Sequence, residues 1–189
     1  MPIRDKLPPY PGPGRDAFTR SREGEYWRVI FNKMLALLRN RSKGDGRLDL
    51  SLLKELDLEK DYPLRKLIRG GFQWQHDTGN HIFRFRIQIP EHNGALLRQN
   101  KRMNSYRFII LLVQGNPEQE GAMQLKSIES EEYTFAGTGI ATECLLELPY
   151  APVPGQWLFC LRAEALEEGR VAAHPKSKGL LVLDGGRWE

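Results

Sequence analysis

The feature that most constrains this chain is a two-residue period near its C-terminal end. Ile140, Thr142, Cys144, Leu146 and Leu148 alternate with Ala141, Glu143, Leu145 and Glu147. After a proline-rich break, Trp157, Phe159, Leu161, Ala163 and Ala165 alternate with Gln156, Leu158, Cys160, Arg162 and Glu164. An extended backbone sends successive side chains to opposite faces, so both segments are predicted strands with one buried face. The pattern specifies an architecture and carries no activity.

The same period begins at Phe72. Phe72, Trp74 and His76 alternate, Asp77-Thr78-Gly79-Asn80 supplies turn chemistry, and Phe83, Phe85, Ile87 and Ile89 alternate with Arg84, Arg86 and Gln88. This predicts a hairpin with one aromatic face. That face packs on a core, for which the stripe of the preceding helix is a candidate partner; the rival use is a stacking platform beside Arg84 and Arg86. Residues 91–104 read as a polar, basic loop, and Tyr106 to Gln114 as a strand covered on both faces. Further strands are expected near 122–128, 132–136, 139–148, 156–166 and 179–183, a spacing suited to a β-sandwich.

Ahead of the strands the period is helical. Trp27, Ile30, Phe31, Met34, Leu35 and Leu38 form one stripe, which predicts a helix over 16–41. Val29, Ala36 and Leu37 widen the stripe, so burial on more than one side is expected. A second helix is predicted over 50–57 with Asp49 as its N-cap, and a short third from Pro63 to Ile68. Residues 1–14 hold Pro8, Pro9, Pro11 and Pro13 and read as an extended arm, free or laid on a neighbouring subunit. The domain reading is therefore an arm over 1–14, a helical segment over 15–71 and a sandwich over 72–189.

Charge is uneven. Residues 1–70 hold 16 Lys and Arg against 10 Asp and Glu, whereas residues 121–189 hold 6 against 10. A basic front and an acidic back suit polyanions, or each other within an assembly. The N-terminus has no apolar core of a secretory signal, and the longest apolar run, Phe108 to Val113, is far short of the ~20 residues of a membrane helix. No membrane contact and a cytoplasmic location are expected. If their strands pair, Cys144 and Cys160 point to opposite faces, so two free thiols are expected.

The segment Gly155-Gln-Trp-Leu-Phe-Cys-Leu-Arg-Ala-Glu-Ala-Leu-Glu-Glu-Gly-Arg170, followed by Gly179-Leu-Leu-Val-Leu183, resembles the last two strands of fibronectin-III or immunoglobulin-like modules. An aromatic-led strand ends in Ala-rich sequence, a charged Gly turn follows, and a final strand closes the sheet. The chain departs from the immunoglobulin pattern in having no Cys–Trp–Cys spacing. The resemblance implies architecture: modules of this kind mostly bind or space other molecules.

No signature of chemistry is complete in this chain. His76 and His81 flank the hairpin turn with Asp77, but no further nitrogen or sulfur ligand lies at zinc spacing. Asp45, Arg47, Asp49 and Ser51 cannot form a calcium cage, because Arg, Leu50 and Leu56 occupy the third, sixth and twelfth positions. Gly137-Thr-Gly139 precedes a strand, which rules it out as a phosphate loop, and no nucleophile elbow occurs. No catalytic residue, metal, cofactor or small-molecule substrate is therefore assigned.

The expectation is an α+β chain: two or three N-terminal helices, then an antiparallel immunoglobulin/fibronectin-III-like sandwich. It reads as a non-enzymatic interaction or assembly module whose partners are proteins or copies of itself, with Tyr10, Trp27, Arg98, Lys101 and Arg102 as candidate contacts. The alternative is a nucleic-acid binder using Arg39, Arg41, Lys43, Arg65, Lys66 and Arg69 with the 91–107 loop, which requires those cations to converge. A second alternative is an enzyme whose site is dispersed along the chain.

Overall fold

The computed structural model describes residues 22–41, 48–68, 71–89, 101–119, 122–136, 141–174 and 176–188; the arm over 1–14 lies outside them. Within α1 (Arg22–Arg41), the side chains of residues 22–28, 30, 31 and 41 are also outside the description. A 3₁₀ turn (Leu50–Leu53) and a short α2 (Leu64–Leu67) follow. The strands are β1 (Phe72–Asp77), β2 (Ile82–Ile89), β3 (Ser105–Gly115), β4 (Met123–Glu129), β5 (Tyr133–Thr134), β6 (Thr142–Pro149), β7 (Gly155–Glu167), β8 (Arg170–Val171) and β9 (Lys178–Trp188). Antiparallel β-sheet dominates the described chain, with few helices. Among the described residues, no helix is long and apolar enough to cross a membrane.

Turn chemistry sets the first hairpin. Asp77 accepts hydrogen bonds from the Asn80 backbone at 3.0 Å and from its side-chain amide at 2.9 Å. His81, in the left-handed region with φ 53°, closes the turn. Trp74 then falls opposite Phe85 and His76 opposite Phe83. β6 pairs with the other side of β2, giving the smaller sheet the order β1-β2-β6.

The larger sheet has β3 and β7 at its centre, paired from Ser105–Leu166 to Gly115–Gln156. β4 and β5 line the far side of β3, and β9 and β8 line the far side of β7. Both central strands bury both faces. Tyr106, Phe108, Ile110, Leu112, Phe159 and Leu161 meet Phe83, Phe85, Ile87, Cys144, Leu146 and Leu148 of the smaller sheet. Ile109, Leu111, Val113, Leu158, Cys160, Leu180 and Val182 meet Met34, Leu35 and Leu38 of α1, with Leu50, Leu53 and Leu58. The order of layers is smaller sheet, larger sheet, helix.

This order corrects three expectations. The aromatic hairpin face packs on the larger sheet, not on the helical stripe, because a strand apolar on both faces accepts one partner on each. Val29 and Ala36 are exposed, whereas Leu37 is half-buried against the same core as Met34, Leu35 and Leu38, so the described side chains of α1 meet one sheet face. The cysteine strands also do not pair: β6 and β7 belong to different sheets, and Cys160 sits in the apolar helix-side core rather than on a polar face. Both thiols are free and buried.

The segment before β1 is held by the sheet. Asp49 caps the 3₁₀ turn, accepting from the Ser51 backbone at 3.1 Å. The helix expected over 50–57 stops at Leu53 because the chain is then drawn into strand pairing. Glu55 turns at φ 65°, its N–H donates to the Val182 carbonyl at 2.9 Å, the Val182 N–H donates to Leu56 at 3.0 Å, and the Leu58 N–H donates to Leu180 at 2.8 Å. Tyr62 and Leu64 then pass around β9 into the core between the sheets.

Candidate functional site

The sequence-derived contact residues divide into those the structure describes and those it does not. Tyr10, Lys43, Arg69 and Arg98 lie outside the described residues, and for Trp27 and Arg41 only the helical backbone is described. Lys101 and Arg102 are exposed in the turn leading to β3, Arg39 is exposed at the end of α1, and Arg65 and Lys66 are exposed on α2. Arg65 lies 3.7 Å from the Glu55 carboxylate.

The Leu50 N–H bonds to Gln156 near the start of β7. Lys101 and Arg102 precede Ser105, opposite Leu166 at the other end of β7. The rise of an extended strand puts those ends on the order of 30 Å apart. Arg84 and Arg86, on the outer face of the smaller sheet, are matched by acids of both neighbouring strands: Arg84 reaches Glu147 of β6 at 2.7 Å and Asp77 of β1 at 3.0 Å, and Arg86 pairs with Glu143 of β6. Beside them Gly71, Phe72, Gln73, Arg86 and Gln88 line an open depression of about 400 Å³. Leu145, 57 % exposed, stands between the two glutamates.

A second cluster closes one end of the sandwich, where the hairpin turn, the β6–β7 corner and the end of β9 meet. Alternation turns the His76 ring inward, where it stacks on Phe83 with centroids 4.1 Å apart. It stands edge-on to Trp157 at 5.3 Å and Trp188 at 5.6 Å. Its Nε2 lies 2.7 Å from the Tyr150 hydroxyl. Trp188 stacks on Trp157 and on Tyr150 and donates its indole N–H to Gln114 at 3.1 Å. Burial pushes the half-buried imidazole below its ordinary 6.5, while the Asp184 and Asp77 carboxylates pull upward and His81 adds to the lowering. His81 is exposed; its backbone carbonyl accepts from the Tyr150 N–H at 2.9 Å. Among the described residues, no group of three or more His, Cys, Asp or Glu is placed to hold a metal.

A third cluster is ionic and was not legible as a site. Glu164 is fully buried on the helix-side face of the larger sheet. It pairs with the buried Arg162 and accepts from Arg107 at 2.8 and 3.0 Å, and Arg107 reaches Glu129 at 2.6 Å. The only sequence signal was parity: Arg162 and Glu164 share a face with Leu158 and Cys160.

The two edges of the larger sheet differ most. β9 is paired on its outer side by residues 55–58. β4 pairs with β3 and with no other described strand, and Gln124, Lys126, Ser127, Ile128 and Glu129 are exposed. Ile128 is 37 % exposed at that edge. Compared with models of known families, with curated proteins and with solved structures, the chain matches none.

Proposed function

We propose that this chain is a non-enzymatic protein-interaction module that associates through the β4 edge of its larger sheet, with a second copy of itself as the first partner to test. The asymmetry between the edges carries the reading. Unpaired strand edges template pairing with another chain, and proteins that must not associate cover or blunt them. Here the β9 edge is covered by the chain's own residues 55–58, and the β4 edge is not paired by any described strand.

The immunoglobulin/fibronectin-III-like character belongs to the same proposal. The strand order supports it: β1-β2-β6 opposite β4-β3-β7-β9 corresponds to A-B-E opposite C′-C-F-G of such sandwiches. The pairing of β7 with β9 supports it as well, since these are the two strands that carry the sequence resemblance.

Light scattering on the full chain tests the association. A mass above the 21.8 kDa of one copy is expected, rising with concentration. Proline is then placed in turn at Lys126 and Ser127. Successive strand residues point their N–H groups to opposite sides, so one of the two variants keeps the ladder to β3 and blocks only the outer edge. That variant is expected to be monomeric. A monomer at every concentration, or an oligomer indifferent to both prolines, overturns the reading. Retention on a polyanion column that falls steeply with salt would favour nucleic acid instead.

A further inference from the structure

We propose that neutral His76 is a latch holding edge strand β1 against the larger sheet, and that protonation of its ring releases that edge. This rests on the aromatic end of the sandwich and is independent of the β4 proposal. Among the described strands, β1 pairs only with β2, so its hold on the opposite sheet comes from the inward side chains Phe72, Trp74 and His76. Of these three, His76 makes the polar bond. Its ring also bridges four elements: Phe83 on β2, Tyr150 at the corner, Trp157 on β7 and Trp188 on β9.

The bond to Tyr150 depends on charge state. A neutral imidazole has one acceptor nitrogen, to which the tyrosine hydroxyl can donate; the imidazolium has two N–H groups and no acceptor. With the neutral ring's proton on Nδ1, Nε2 accepts from the Tyr150 hydroxyl 2.7 Å away; protonation then makes Nε2 a donor and deprives the hydroxyl proton of its acceptor. Tyr150 is only 6 % exposed, so water is a poor substitute. The cation must also shed its water among aromatic rings.

Three charged or titratable groups act on the ring: Asp77 on its own strand, Asp184 on β9 and His81 at the turn; β2 and β7 present Phe83 and Trp157 to it. Asp77 on β1 favours the cation but is engaged by Asn80 and Arg84. Asp184 on β9 favours it too, but is held by Lys54 at 2.9 Å. His81 at the turn opposes it, and burial of the ring is the largest influence. A ring depressed in the folded state and ordinary in the released state binds more protons when released. The latch is therefore closed above the ordinary 6.5, weakens as pH falls below it, and weakens no further once the folded ring is itself protonated.

NMR on the full chain tests this by following the His76 side-chain titration together with amide protection of Gln73–Asp77, corrected for the intrinsic pH dependence of exchange. The His76 midpoint is expected below 6.5. Protection in β1 is expected to fall about tenfold for each unit of that depression, while Phe108–Val113 of β3 keep theirs. His76→Phe, or His76→Gln should the first not fold, is expected to lose the pH-dependent change and keep β1 protected. A midpoint at or above 6.5, or the same acid loss of protection in either variant, overturns the proposal. If neither variant folds, the titration of the natural chain decides alone.

Discussion

The side-chain oxygen of Gln156 accepts a hydrogen bond from the backbone N–H of Leu50 at 2.7 Å, in the buried seam between β7 and the 3₁₀ turn. The same side chain donates its amide to the Leu48 carbonyl at 2.6 Å. One glutamine thus satisfies two backbone groups 106 and 108 residues away in sequence. Gln156→Ala removes both bonds and strands a buried N–H, at a cost of roughly 2–3 kcal/mol. Gln156→Glu keeps the acceptor and loses the donor, and is expected to be destabilising as well. Urea unfolding monitored by circular dichroism checks both.

Two glycines are fixed by what lies against them. A Cβ on Gly179 would stand 2.6 Å from carbons of Tyr62 and Leu64, the residues that wrap β9. Gly179→Ala is expected to cost about 1–3 kcal/mol, part of it recovered as those side chains shift. Gly155 sits at φ 127°, and its Cβ would overlap the Gly115 carbonyl. Backbone cannot move aside as a side chain can, so Gly155→Ala is expected to be the more damaging of the pair in thermal melts.

Glu164 holds two guanidinium groups in a place where neither is easily left alone. Glu164→Gln removes the charge and leaves Arg162, 3 % exposed, without its carboxylate. The loss is expected to be on the order of 3–5 kcal/mol. Changing Arg162 and Glu164 together to Met and Leu is expected to cost less than the single change, because no buried charge of that pair is stranded. A double-mutant cycle on unfolding free energies reads this directly.

Asp77 gives the hairpin an acid dependence. Hydrogen bonds from the Asn80 side chain, Arg84 and the Asn80 backbone hold its carboxyl down at about 2, from an ordinary 3.8. A carboxyl depressed on folding lends stability that is complete above its unfolded value and lost as pH falls toward the folded one. The stability difference between the natural chain and Asp77→Asn is therefore expected to be constant above about pH 5 and to shrink as pH falls through the window from 3.8 to about 2. A difference that persists unchanged at pH 2 contradicts the assignment.

The strands were largely legible because the side-chain period survives wherever one face is buried: β1, β2, β6 and β7 lie where alternation put them. The C-terminal half of β9 was not legible. The last strand was expected to end at 183, yet pairing with Gln156, Trp157, Leu158 and Phe159 holds Asp184, Gly185, Gly186 and Arg187 extended. Propensity yields there to a ready partner strand. The face on which α1 docks was equally hidden. β3 and β7 are apolar on both sides, so nothing local says which side takes the helix and which the hairpin. Of the sites, the turn histidines stood out by composition, but the partners of His76 did not. Tyr150, Trp157 and Trp188 lie 74 to 112 positions downstream, a convergence that only the sandwich creates.

The contrast between the two edges of the larger sheet is tested most directly by amide hydrogen exchange at low and high protein concentration. Val182 and Leu58, which bond across the β9 edge within one chain, should be protected equally at both. Amides of Met123–Glu129 should gain protection only at the higher concentration, where a second copy pairs with β4. Unchanged exchange along β4 alongside new protection on another surface, or a concentration-dependent gain at Val182, would contradict the edge on which the proposed function stands.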